Sequence, residues 1–190
     1  MSIVHISRRA LALGLSSIPA ALSVAGRALG ADSMAAAPSD AAAGLSHSSE
    51  SIHQEITFNA GRRRVYAALT DAKQFDAVTR LSDAIELVTA PGAKPTTISH
   101  EVGGSFTLFG GYVTGRHLQL LPDERLVQAW HAASWKPADY SIVRFELFED
   151  GAATKLKFDH RGFPDGQGTH LADGWHVHYW QPLAKYLSQA

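Results

Sequence analysis

The sequence contains no cysteine. This absence excludes disulfides, thiol nucleophiles and the cysteine-ligated zinc and iron–sulfur sites. An excess of one charge is also missing, because 17 Lys and Arg residues nearly balance 18 Asp and Glu residues, for a formal net charge of −1. Without a basic excess to neutralise phosphates, we expect no nucleic-acid partner. A chain of 190 residues that is 45% hydrophobic and 18% charged is typical of one globular domain.

The N-terminal segment has the organisation of an export signal. Arg8 and Arg9 precede an apolar run over 11–25, which small residues and a proline interrupt and which is too short to span a bilayer. The paired arginines are similar to those of a twin-arginine signal. We therefore predict that residues 1–30 are a signal peptide cleaved after Gly30. The mature protein is then expected to be periplasmic or secreted, with no stable membrane span.

A linker and one domain follow the predicted signal. Residues 31–51 are rich in Ala, Ser, Gly and Asp without a periodic apolar face, which predicts a flexible linker. The domain is predicted over 52–190, beginning with a half-buried strand over 52–58. Residues 59–64 are then expected to turn into a helix, and Asp71 could cap a second short helix. Closely spaced strands are predicted next, at 105–109, 112–121, 125–133, 141–149 and 153–160.

A long helix is predicted at the C-terminus, over 169–187. At 100° per residue, one face of this helix carries Leu171, Trp175, Tyr179, Leu183 and Tyr186. Pro182 lies inside the pattern and should kink the helix. The strands in series are expected to form an antiparallel meander with one apolar face. The final helix is the long element able to cover that face. The predicted fold class is therefore α+β.

Several segments carry a family resemblance in their order and spacing. They are VYAALTD at 65–71, GGSFTLFGG at 103–111 with Gly115, LLPDERLVQAW at 120–130, YSIVRFEL at 140–147, HRGFP at 160–164, GW at 174–175, YWQPL at 179–183 and YL at 186–187. Together they resemble the helix-grip fold of the SRPBCC (START-like) superfamily. Within it, the sequence is most similar to the activator-of-heat-shock-protein-90-ATPase homologue family. The resemblance runs from about residue 52 to residue 187.

The resemblance implies a curved antiparallel sheet wrapped around the C-terminal helix, with two short helices near the N-terminal strand and a cavity between sheet and helix. In the superfamily this cavity commonly holds a small hydrophobic or aromatic molecule, and some members catalyse cyclisation or related steps. The family has no shared catalytic motif, so the catalytic residues, if any, are unknown. The family name comes from a co-chaperone activity, and an exported protein would not meet a cytosolic chaperone.

The candidate ligand-binding residues are those expected to face the cavity. His160 should point inward from the alternation of its strand, either as a ligand or acid/base group or as a hydrogen-bonded core histidine. Trp175 and Tyr179 form either a cavity wall or plain core. Of Trp130 and His131, one can enter the cavity, and the pattern leaves open which. The full predicted set is His160, Trp175, Tyr179, Trp130, Leu171, Tyr112 and His176.

No metal site or cofactor is predicted. His176 and His178 are two residues apart, which on a helix separates them by about 200° of rotation, so they cannot grip one ion together. The glycines at 103–104, 110–111 and 115 lack the strand-to-helix context and the lysine of a phosphate-binding loop. We interpret them as bends and bulges that curve the sheet.

Three functions remain as hypotheses. The leading one is binding of a small hydrophobic or aromatic ligand in the cavity. The second is an enzyme of cyclase, lyase or hydrolase type that uses the same cavity, with His160 as acid/base. The third is a periplasmic chaperone-like interaction module, which rests on the family name alone.

Overall fold

A computed structural model gives the fold and describes residues 4–6 and 50–189. The predicted signal over 1–30 and the predicted linker over 31–51 lie outside the described residues, apart from Val4–Ile6 and residues 50 and 51. Residue 51, which the prediction assigns to the linker, is the first residue of a strand.

The described chain forms one antiparallel sheet of eight strands. The strands are β1 Val4–Ile6, β2 Ser51–Phe58, β3 Thr97–Ile98, β4 Ser105–Leu108, β5 Val113–Leu121, β6 Arg125–Ala132, β7 Ser141–Asp150 and β8 Ala153–Arg161. Their order across the sheet is β1-β2-β8-β7-β6-β5-β4-β3, so consecutive strands from β3 to β8 are neighbours. The predicted meander is confirmed, and the N-terminal strand β2 joins it beside β8.

Five α-helices accompany the sheet in the described part of the chain. They are α1 Arg62–Thr70, α2 Ala72–Thr79, α3 Ile85–Thr89, α4 Gly168–Trp175 and α5 Gln181–Leu187. Asp71 caps α2 as predicted, since its carboxylate accepts a hydrogen bond of 2.9 Å from the backbone N–H of Gln74. Helix α3 was not predicted.

The predicted C-terminal helix is a continuous helical segment with one unusual turn. A π-helical turn, His176–Trp180, separates α4 from α5, and the backbone N–H of Gln181 bonds to the carbonyl of His176 five residues back. Pro182 follows at once, and it has no N–H to give to the carbonyl of His178. The sequence predicts a kink at Pro182, and the structure has a widened, π-helical turn immediately before it.

The helical segment lies on the inner face of the sheet. Strands β7 and β8 turn Phe145 and Phe158 inward, and Trp175 packs on the Phe158 ring with the ring centroids 4.3 Å apart. At the β2 side, the buried Gln54 side chain donates to the carbonyl of Ala172 and accepts from the indole of Trp180. These contacts confirm the α+β helix-grip fold, with a curved sheet gripping the C-terminal segment.

The glycines shape the sheet edge in two ways. Gly110 and Gly111 have φ angles of 67° and 97° and form a tight turn before β5. Gly115 lies so close to β6 and Phe106 that a Cβ atom would clash with both. The β-bulge does not lie at these glycines. It lies between His117 and Gln119, where the register of β5 against β6 shifts.

Candidate functional site

A cavity of about 310 Å³ lies between the sheet and the C-terminal helical segment. Its wall is built by inward side chains of the strands, by the helical segment and by the loops at its mouth. The principal strand contributors are Val113, Trp130, Ala132 and His160, and the helical contributors are Leu171, Gly174, Trp175, His178 and Tyr179. This volume is at the lower end of the range of small-molecule sites.

The cavity wall is mainly aromatic and aliphatic. Of the described residues that line it, none is Asp, Glu, Lys or Arg. Its polar groups are hydroxyl, amide and imidazole side chains, with Ser134, Gln167 and His170 among them. An apolar wall with a few polar groups is the usual character of a site for an uncharged organic molecule.

Six of the seven predicted site residues lie in the wall. They are His160, Trp175, Tyr179, Trp130, Leu171 and Tyr112. The open question about β6 is answered by burial: Trp130 is 6% exposed and lines the cavity. His131 is half-buried on the opposite face, where its Nδ1 donates to the carbonyl of Asp139 over 2.9 Å.

His176 differs from its prediction, since its side chain is exposed and lies outside the cavity wall. The helical wheel places His176 and His178 on opposite sides of the face that Trp175 and Tyr179 share. The helical segment meets β2 through Ala172 on one side, and the cavity opens on the other side, where His178 lies. His178 therefore occupies the place predicted for His176.

Each of three tryptophans in the core is held by a dedicated buried acceptor. The indole N–H of Trp130 donates to Gln128 Oε1 over 2.8 Å, and that of Trp175 donates to His160 Nδ1 over 3.1 Å. The indole of Trp180 donates to Gln54 Oε1. A buried donor without a partner is unfavourable, so these acceptors fix the orientation of the aromatic rings.

His160 is a neutral histidine with both nitrogens engaged. Because Nδ1 accepts from Trp175, the proton lies on Nε2, which donates to the hydroxyl of Ser141 over 2.7 Å. The side chain is 1% exposed, and burial lowers its pKa to about 3. No ring nitrogen is left to take a proton from a ligand, so this arrangement does not favour His160 as a general base.

Tyr179 lies at the centre of the aromatic cluster. Its ring centroid is 4.3 Å from that of Trp175 and 5.4 Å from that of Phe109. Burial raises the pKa of its hydroxyl well above the usual value, so the group stays protonated. Among the described residues, neither the Tyr179 hydroxyl nor Nδ1 of His178 has a hydrogen-bond partner, although both atoms are buried.

The mouth of the cavity is formed by exposed side chains from three separate loops and helices. Leu87 of α3 is 43% exposed and Tyr112 is 40% exposed. The Tyr112 hydroxyl lies 3.1 Å from Ser134 Oγ, which ties the start of β5 to the β6–β7 loop. Gln167 and His170 complete the rim beside Leu171.

Gln128 and Ser141 support the cavity wall, and the sequence pattern did not predict them. Both are buried at inward positions of alternating strands, beside Trp130 and Val143. The sequence did contain a signal for them: each is a polar residue at an inward-facing strand position, and a buried polar residue needs a hydrogen-bond partner.

No group of three His, Asp or Glu side chains in residues 50–189 is placed to hold a metal ion. No helix in the described part of the chain is both long and apolar enough to cross a membrane.

Comparisons with known proteins show which proteins this chain resembles in sequence. A human protein, activator of 90 kDa heat shock protein ATPase homolog 1, is 27% identical over 98 residues, which are 52% of this chain and 29% of the relative. A Dictyostelium discoideum protein described as an activator of 90 kDa heat shock protein ATPase homolog is 30% identical over 80 residues, 42% of this chain and 21% of the relative. The chain thus spans less than a third of the length of these curated relatives.

Solved structures share the fold. An Hsp90 activator from Plasmodium falciparum superposes with a TM-score of 0.61 at 23% identity, over 73% of this chain and 96% of that chain. CalU16 from Micromonospora echinospora superposes with a TM-score of 0.57 at 21% identity, over 74% of this chain and 77% of that chain.

The family match covers strands β3 to β8 of the sheet and the helical segment that enclose the cavity. It extends over residues 59–188, which is more than half of the chain and includes every cavity-lining residue. The chain belongs to the family described as activator of Hsp90 ATPase homolog 1-like protein.

Proposed function

We propose that this protein binds a small hydrophobic or aromatic molecule in the cavity between the sheet and the C-terminal helical segment. The observation that carries the proposal is a wall rich in aromatic side chains and without Asp, Glu, Lys or Arg, around a volume of about 310 Å³. Trp130 and Trp175 are held in that wall by buried acceptors, so the binding surface is formed before a ligand arrives. Preorganised aromatic walls reduce the entropy lost when a ligand binds.

Gly174 offers a direct test of the proposal. It lies in the cavity wall, and a Cβ atom built there would have His178 Cδ2, at 4.0 Å, as its nearest neighbour. A leucine at this position can therefore extend into the cavity without displacing the backbone. We expect Gly174→Leu to lower the affinity for the neutral fluorescent probe N-phenylnaphthylamine by at least about tenfold, because the side chain occupies the ligand's volume.

The matched control is Asp173→Leu, which adds the same side chain at the adjacent, exposed position. We expect this variant to bind the probe like the natural protein. Thermal unfolding should show that Gly174→Leu remains folded, since replacing a helical glycine with leucine favours the helix by roughly 0.5–1 kcal/mol. Equal probe affinity in the natural protein and Gly174→Leu would contradict the proposed binding site.

We further propose that the chain is exported through a twin-arginine-type signal. The support is the pair Arg8 and Arg9 ahead of the apolar run over 11–25. The mass of the denatured secreted protein tests this proposal. We expect a mass that lacks residues 1–30, whereas a full-length mass would contradict it.

A further inference from the structure

A chain of hydrogen bonds leads from the cavity wall to a buried histidine on β5. The indole N–H of Trp130, which lines the cavity, donates to Gln128 Oε1 over 2.8 Å. The side-chain nitrogen of Gln128 makes a long hydrogen bond of 3.4 Å with Nδ1 of His117, whose side chain is fully buried. His117 does not line the cavity. The amide that orients Trp130 is therefore connected to a titratable residue that a ligand in the cavity does not touch.

The donors and acceptors along this chain fix the protonation of His117. An indole N–H can only donate, so the Gln128 amide presents its oxygen to Trp130 and its NH₂ group to His117. Because the NH₂ group can only donate, Nδ1 of His117 must accept. The ring is therefore neutral, with its proton on the buried Nε2. Neutral His117 and the bonded indole of Trp130 are two parts of one arrangement.

A proton on Nδ1 of His117 reverses what the ring requires of the Gln128 amide. A charged imidazole has two N–H donors and no acceptor, so it repels the NH₂ group and attracts the amide oxygen. When the amide turns its oxygen to His117, its NH₂ group faces the indole N–H of Trp130, and neither group can accept. Protonation of His117 therefore removes the acceptor of Trp130, and a buried indole N–H without a partner is unfavourable.

Strand pairing and the β-bulge place His117 beside this amide. In the register of β5 against β6, His117 lies opposite Gln128, and the register shifts directly after it. Leu118, the next residue, is 48% exposed, whereas the His117 ring packs inward with its centroid 5.4 Å from that of Phe106. A β-bulge changes the direction in which a side chain points. The imidazole is thus held next to the amide, and a change in its charge must be met by the amide.

The surroundings of His117 favour the neutral ring at pH 7. Burial is the largest influence and lowers the pKa of His117 below the ordinary histidine value. In the loop between β3 and β4, the charge of His100 lowers this pKa further, while the backbone of Ser99 raises it. Strands β4 and β6 face the ring with Phe106 and Gln128, which do not titrate. The other charged residues next to this loop and strand position are exposed, namely Glu101 and Arg116.

We propose that His117 is a positioning residue for the cavity: in its neutral form it holds the Gln128 amide in the orientation that binds the Trp130 indole, and its protonation releases the indole and weakens binding in the cavity. This inference rests on the proposed function, since it names a regulation of the same site. Affinity for a neutral ligand should therefore be highest at and above neutral pH and fall as the solution becomes acidic.

The first measurement follows the indole N–H signals of the unliganded natural protein by NMR between pH 7 and pH 4.5. The Trp130 signal, identified by its absence in Trp130→Phe, should shift with the same midpoint as the ring signals of His117. The Trp175 signal is the internal reference, because its acceptor His160 has a pKa of about 3 and stays neutral in this range. A role of His117 in packing alone would not make the Trp130 signal depend on pH.

The second measurement is the affinity for the neutral probe N-phenylnaphthylamine at pH 7 and pH 4.5, in the natural protein and in His117→Asn. The asparagine oxygen can replace Nδ1 as the acceptor for Gln128, and it does not titrate. We expect the natural protein to bind the probe about three- to tenfold more weakly at pH 4.5 than at pH 7, as the loss of one buried hydrogen bond would produce. His117→Asn should bind the probe equally well at both pH values.

His53→Asn is the matched control. It makes the same replacement at a half-buried histidine of β2, whose Nδ1 bonds to Asp159 on β8 and which does not line the cavity. We expect this variant to keep the pH dependence of the natural protein. Thermal unfolding at pH 7 should show that both variants are folded. If His117→Asn is not, the titration of the Trp130 signal in the natural protein decides the role of His117 without it.

The outcomes separate the two proposals. A Trp130 signal that does not move with pH, or that moves equally in His117→Asn, would overturn the role of His117 while cavity binding stands. If the natural protein binds the probe at neither pH, the proposed function fails, and the expected loss of affinity fails with it. A Trp130 signal that titrates with His117, together with weaker probe binding at pH 4.5 that His117→Asn abolishes, would support the inference.

Discussion

At the scale of single residues, hydrogen bonds between neutral groups fix the cavity wall. His160 links Trp175 on the helical segment to Ser141 on β7, and it does so as the tautomer with its proton on Nε2. The alternation of β8 predicts that His160 points inward. It cannot predict the two partners, because they are brought to the histidine only by the pairing of β7 with β8 and by the docking of α4.

The burial of His160 predicts how the stability of the protein depends on pH. The pKa of His160 is lowered to about 3 by burial, against an ordinary value of about 6.5 in the unfolded chain. The unfolded state therefore binds the proton first as the pH falls. The contribution of neutral His160 to the free energy of unfolding is fully present above pH 6.5 and declines below it. From this group alone, we expect the free energy of unfolding to fall by about 2 kcal/mol between pH 7 and pH 5.

His160→Gln is the comparison that isolates this contribution. The amide can accept from Trp175 and donate to Ser141 without titrating. Denaturant unfolding at pH 7 and pH 5 should show a smaller loss of stability in the variant than in the natural protein. Other titrating groups, including the buried His117, are common to both proteins and cancel in the difference. Parallel stability curves for the two proteins would argue against a neutral buried His160.

At the scale of secondary structure, strands and capped helices follow from local pattern. The predicted bounds of β7 and β8 differ from the observed ones by a single residue, because alternating burial persists along most of each strand. Helix α3 escaped prediction for the opposite reason. Its five residues include no buried side chain, and no side chain caps its start, so neither periodicity nor a capping signal marks it.

The C-terminal helical segment shows where an element-level pattern stops being informative. The wheel correctly groups Leu171, Trp175 and Tyr179 on the cavity side. It gives His176 and His178 equivalent positions at the two margins of that face. The choice between them depends on which margin packs against β2 and on the π-helical turn, and both are consequences of tertiary packing.

At the scale of the whole molecule, charge and aromatic surface lie on opposite faces of the sheet. Lys155 pairs with Glu55 at 2.7 Å, and Arg144 pairs with Asp159 at 2.6 Å, on strands whose alternate residues point into the core. The inner face is aromatic and holds the cavity. This separation follows from the period of two in each strand, and it explains why no Asp, Glu, Lys or Arg of the described residues lines the cavity.

The overall architecture was therefore predictable, and the detailed site was predictable in part. Fold class and six wall residues follow from strand alternation, the helix face and the family resemblance. The mouth was not predictable, because Leu87 and Ser134 come from segments without a periodic pattern. The unsatisfied hydroxyl of Tyr179 was hidden for a related reason, since only the packed structure shows which donors have acceptors.

The measurement that tests cavity binding most directly is a titration of the natural protein with fluorenone, followed through the indole N–H signals of its four tryptophans by NMR. Trp130, Trp135 and Trp175 line the cavity, whereas Trp180 lies behind it with its indole bonded to Gln54. We predict saturable shifts for signals of the first three and little change for Trp180. An unchanged spectrum, or shifts that grow with fluorenone concentration without saturating, would contradict binding in the cavity.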